Sequence, residues 1–254
     1  MTALTNVRTA LRERYHRAAM LDAEGQMREC VEYLQHPEIL VAEFADSYLT
    51  ASEYDRRDQE FWAPPEDLPR RRVSDDVCDQ LVRASQIRVL DDPEHCFRYV
   101  AREIFPLRAE LGGHREGDRR AAGLDYVGLI SATQSVPILG VVHVPADRTL
   151  FLSLMRALTC LAEVATESQV ARANRFLFRG VLPPEPTFDL HLLAADAPDT
   201  DDQPPISQLS RDLAHVFTLG LRDEWQFPNL LRNIYCLRMT LKKFDGSVRV
   251  DWRS

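Results

Sequence analysis

Lysine is almost missing from this chain. Lys242 and Lys243 are the only two, and arginine supplies nearly all of the remaining positive charge. A phosphate-binding loop of the GxxxxGK[ST] kind is therefore excluded, and GxGxxG after a strand, HExxH and GxSxG are absent as well. Nucleotide-cradling and serine-hydrolase readings lack their minimum residues. Cysteine is sparse, at five residues (Cys30, Cys78, Cys96, Cys160 and Cys236), with no CxxC or Cys/His spacing. An odd, scattered set argues against a disulfide framework and a structural zinc. Cys160 and Cys236 fall inside apolar runs, where cysteine behaves as a small core residue. Long apolar runs are missing too. No segment reaches the length of a membrane span, and the first twenty residues are charged throughout, so the expected location is cytoplasmic, with no membrane partner.

What is present reads as globular. The chain has 254 residues, 45% hydrophobic and 28% charged, with the apolar residues in short runs between turn signals. That is enough for one large domain, or a compact domain with a helical extension, to bury a core. A net charge of -8 argues against a generally basic nucleic-acid-binding surface, although a local basic cleft can survive in an acidic protein.

Period 3.6 dominates the first part. Leu4, Val7, Leu11, Tyr15, Ala19 and Met20, then Met27, Cys30, Val31 and Leu34, recur at three- and four-residue spacings, with Gly25 read as the break between two helices. A further amphipathic stretch, Ile39 to Tyr54, runs into the polar segment 55–72 with its Ala63-Pro64-Pro65, which is taken as the boundary between a helical region (1–72) and an α/β domain (73–254). Ser74-Asp75-Asp76 looks like a helix N-cap. Asp91-Asp92-Pro93-Glu94 predicts a helix over 94–111, stopped at Gly112-Gly113.

After Arg120 the pattern changes to short β-branched runs. Residues 124–130 and 137–144 predict an antiparallel hairpin, and 149–178 a long helix, apolar on nearly all sides, that must pack on the sheet. Residues 188–195 predict a third strand, 206–221 a helix and 234–241 a fourth strand. A helix between strands favours a parallel pair and a short turn an antiparallel one, so the sheet is expected to be mixed.

The chemistry-bearing residues gather on the hairpin. Asp125 is a charge near the start of an apolar strand, and Val141 and His143 lie two apart, on one face of the next. Asp189 and His191 alternate on the third strand, within reach of the hairpin; a satisfied structural histidine is the commoner reading for both His143 and His191. The sequence of a helix, Asp in one strand, a turn, an apolar strand and a long apolar helix, over roughly 97–195, resembles the core of the PD-(D/E)XK nuclease superfamily. The resemblance implies an α/β fold with a small mixed β-sheet flanked by helices, a restriction-endonuclease-like core, here preceded by the N-terminal helical region. It implies a carboxylate-held Mg²⁺ that activates water, and on this chain Asp125 matches the family's Asp, while Val141 stands where its Glu would be and His143 where its Lys would be. Glu103 or Glu110 takes the place of the helix glutamate that often joins the site. The candidate catalytic side chains are then Asp125, His143 and Glu103, and the candidate metal ligands Asp125 and Glu110.

Without the second carboxylate the site loses an anionic Mg²⁺ ligand that a valine methyl cannot replace, so the expectation is a degenerate, nuclease-like protein acting through binding or assembly, with no cofactor. The alternatives are an active Mg²⁺-dependent nuclease on DNA or RNA, and a helical protein–protein interaction module. The apolar stripes of residues 3–54 need cover, either within the chain or from a homodimer or protein partner.

Overall fold

In a computed structural model the described residues are 9–57, 81, 83, 84, 86–104, 124–130, 136–143, 149–195, 204–239 and 246–254. Three helices open the chain: α1 (Ala10–Ala18), α2 (Ala23–Gln35) and α3 (Pro37–Arg57). The Thr9 and Asp22 side chains accept from Arg12 N–H and Gly25 N–H and so cap α1 and α2. The break between these helices therefore sits at residues 19–22. Gly25, read from sequence as the break, lies in the first turn of α2, because the cap three residues earlier and not the glycine decides where the helix starts.

Seven strands follow among the described residues: β1 (Ile87–Val89), β2 (Asp92–Ile104), β3 (Leu124–Ile130), β4 (Val136–His143), β5 (Phe188–Ala195), β6 (Leu231–Met239) and β7 (Ser247–Arg253). Helices α4 (Leu150–Val164) and α5 (Glu167–Phe176) connect β4 to β5, and α6 (Pro204–Asp223) connects β5 to β6. From β1 to β4 neighbours run antiparallel. β4, β5 and β6 are parallel, and β7 returns antiparallel to β6. β7 then pairs in parallel with β1 and closes the sheet into a barrel. Gly246, at φ +83°, makes the left-handed turn into β7, and its carbonyl accepts Arg88 N–H at 2.9 Å on the closing edge.

The α/β class, the mixed sheet, the antiparallel 124–130/137–144 hairpin and the buried helix after residue 148 are all present. All fifteen residues of α4 are buried, because barrel strands lie on one side of it and α1, α3 and α6 on the other. The long helix over 149–178 is in fact two, parted at Ala165-Thr166.

The helix over 94–111 is a correction, since Asp92–Ile104 is strand. His95, Phe97 and Tyr99 are buried while Arg98 between them is exposed, a period of two that the Asp-Pro-Glu helix-start signal masked. Glu103, expected on a helix, accordingly lies in β2, and Glu110 lies outside the described residues. β1 and β7 carry no predicted counterpart. They are short or interrupted by charge, and the pairing that makes them strands is with each other and with β2 and β6.

Barrel closure gives each strand two distinct faces. On the outer face Leu139, Val141, Leu190, Leu192, Ile234 and Cys236 join α1–α6 in one apolar core. That core also takes Leu11, Tyr15, Leu40, Val41 and Phe44, so these stripe residues find cover within the chain, whereas Leu49 is 53% exposed and Leu4 and Val7 lie outside the described residues. The edge-to-face pairs Phe44–Phe217 and Phe44–Phe227 join α3 to α6 and to the loop after it. An ion pair anchors α1: Arg12 bonds both carboxylate oxygens of Glu163 on α4, and Thr9 Oγ1 adds a bond of 3.1 Å. On the inner face Ile87, Val89, Ile138, Val142, Leu193, Leu237, Met239 and Val248 form a second core, with Leu81 from the segment before β1.

Candidate functional site

Polar groups occupy one end of the barrel interior. β5 carries Asp189, His191 and Leu193 on its inner track, and the first two are fully buried. β6 is bonded beside it, with Asn233 level with Asp189 and Tyr235 level with His191. From β2, the alternation that buries Phe97 and Tyr99 also sends His95 inward, at 5% exposure.

The resulting cluster is held by specific contacts. Tyr99 Oη lies 2.9 Å from His191 Nδ1. The His95 ring packs on Tyr235, with centroids 4.4 Å apart, and the His191 ring meets Phe97 edge to face at 4.7 Å. Arg232 grips Asp189 through two parallel bonds, Nε to Oδ1 at 3.0 Å and Nη2 to Oδ2 at 2.7 Å. Ligand atoms of His95, Asp189 and His191 all lie within 4.8 Å of one another. Among the described residues, Nε2 of His95 and Nε2 of His191 are both buried without a hydrogen-bond partner.

Burial pushes the His191 pKa well below the usual histidine value, and the charges of His95 and Arg232 push the same way. Burial also lowers that of His95, against the pull of Asp189 and Asp92. Both shifts favour the neutral imidazole. In that form each ring offers a nitrogen lone pair for a proton donor or a metal ion.

His143 is built differently. It is buried on β4 opposite Ala194 of β5, and its Nδ1 lies 3.0 Å from Ser153 Oγ on α4. Val141, two residues earlier, is fully buried in the helix-covered core. The two share a strand face, as their spacing requires, and that face is the outer one. Asp125 lies in β3, beside the Tyr126 that pairs with Gly140 of β4. The structure thus brings together Asp189 and His191, whose alternation is visible in sequence, with His95, which the misassigned helix concealed. The period-two run His95, Phe97, Tyr99 is the signal that could have found it.

Comparison with known protein families, with curated proteins and with solved structures finds no match in any of the three.

Proposed function

We propose that this chain is a nuclease-like α/β protein that has lost phosphodiester hydrolysis and acts through binding or assembly. One observation carries the reading. At the two β4 positions where the resemblance would put a metal-binding Glu and a Lys stand Val141, fully buried, and His143, 7% exposed and bonded to Ser153. Hydrolysis of this kind needs oxygen ligands for Mg²⁺ and room for phosphate and water. A valine supplies no ligand, and α4 lies over that face of the strand. The element order from β3 onward adds support, with β3 and β4 antiparallel, α4 following and β5 parallel to β4, although strand β2 stands where the resemblance had a helix.

The partner on this reading is a protein, a second copy of the chain included. Leu11, Tyr15, Leu40, Val41 and Phe44 are covered within the chain, Leu49 of α3 is 53% exposed, and Met20 and Trp225 are the most exposed large apolar side chains among the described residues. The experiment is cleavage of single- and double-stranded DNA and of RNA by the full chain with Mg²⁺ or Mn²⁺. No cleavage above background is expected. Metal-dependent cleavage that Asp125→Ala abolishes would overturn the reading in favour of an active nuclease using Asp125, His143 and Glu103 or Glu110.

A further inference from the structure

We infer that His95, His191 and Asp189 form a binding site for a divalent transition-metal ion inside the barrel, on the opposite face of the sheet from His143. Nothing in the hairpin reading requires it. Two imidazole nitrogens and one carboxylate oxygen are a mixed donor set that suits Zn²⁺, Co²⁺ or Fe²⁺, whereas Mg²⁺ and Ca²⁺ prefer oxygen alone. The decisive feature is the pair of buried Nε2 atoms with no hydrogen-bond partner among the described residues. A buried polar nitrogen left unanswered costs stability, and since a ring nitrogen of each histidine and an Asp189 oxygen lie within 4.8 Å of one another, a single cation can answer the cluster.

The surroundings match those of a metal ligand set. A ligating histidine usually has its other ring nitrogen fixed by a hydrogen bond, and Tyr99 Oη fills that place at 2.9 Å from His191 Nδ1; in the tautomer whose Nδ1–H donates to Tyr99, Nε2 holds a lone pair for the ion. Arg232 fixes the Asp189 carboxylate while leaving lone pairs on both oxygens for a metal bond. The guanidinium is one-third exposed, so water screens its charge from an ion seated deeper in the barrel. Bonds of about 2.0–2.2 Å in a tetrahedral shell set ligand atoms about 3.5 Å apart. Atoms already within 4.8 Å reach that spacing by small ring rotations. Three protein ligands leave a fourth position for water or an exogenous anion.

The test is titration of the full-length, chelator-treated protein with Zn²⁺ by calorimetry and with Co²⁺ by visible absorption, folding being followed by circular dichroism. One ion per chain is expected, with Co²⁺ ligand-field bands that Zn²⁺ quenches and millimolar Mg²⁺ does not. His95→Gln and His191→Gln should abolish the bands. Tyr99→Phe should keep the stoichiometry and weaken binding about 10–100-fold. Folded wild-type protein that binds neither ion, bands that Mg²⁺ quenches, or binding unchanged in both variants would overturn the inference. If His191→Gln fails to fold, His95→Gln, near the more open edge of the cluster, decides alone.

Discussion

His143 and His191 lie on adjacent parallel strands of one sheet, yet the first faces the helices and the second faces the barrel interior. The outer face is finished by packing: α4 is covered on all sides, its buried carboxylate is paired with Arg12, and Ser153 bonds His143. The helical layer also holds buried polar atoms without a hydrogen bond, Arg14 Nε, Glu29 Oε2 and Ser52 Oγ among them, but among the described residues only the polar end of the inner face gathers such atoms into a His/His/Asp cluster. The difference is therefore one of convergence: metal-ligating groups meet on the inner face, and ion pairs and packing dominate the outer one. Unsatisfied buried polar atoms cost stability, and proteins keep them chiefly where they are used.

The sharpest way to break this contrast is at the outer ion pair. Glu163→Ala removes a carboxylate that is 1% exposed from beside the Arg12 guanidinium, itself 12% exposed. Breaking one side of a buried pair costs about 3–5 kcal/mol, so urea unfolding should show a loss of that size, with α1 released from α4. A loss under about 1 kcal/mol would mean that water screens this pair as it does a surface ion pair.

A smaller effect is expected from Ser153→Ala, which deletes one hydrogen bond to His143. The loss should be about 1 kcal/mol in the same assay, and Zn²⁺ binding should not change, because His143 and the barrel cluster lie on opposite faces. Altered metal affinity in this variant would join the two regions that the structure keeps apart.

The smallest effect concerns reactivity. Burial on the outer face pushes the Cys30 thiol up to about 12, against a stabilising bond from Ser210. The thiolate is the reactive form and at pH 8 makes up about one part in 10⁴ of that thiol, so Cys30 should resist alkylation in the folded protein and react on unfolding, as peptide mass spectrometry would show. Rapid labelling of the native chain would mean that the α2 side of the outer core opens.

Periodicity alone made most elements legible. The apolar run of α4, the β-branched hairpin and the alternation Asp189, His191, Leu193 specify their own secondary structure and, for the last, a shared strand face. β2 was misread because an Asp-Pro-Glu start signal outweighed a two-residue alternation, a conflict settled by pairing along β3 and not by any local preference.

The sequence by itself determined the α/β class, the mixed sheet, the buried central helix and the absence of the common nucleotide and hydrolase motifs. Which face of each strand turns inward, the closure of β7 onto β1, and the meeting of His95 with His191 were decided by tertiary structure alone. The physical reason is that helix and strand periods are properties of neighbouring residues. Closure depends instead on the accumulated twist and register of seven strands, and these bring together side chains far apart in the chain only after the whole wall has formed.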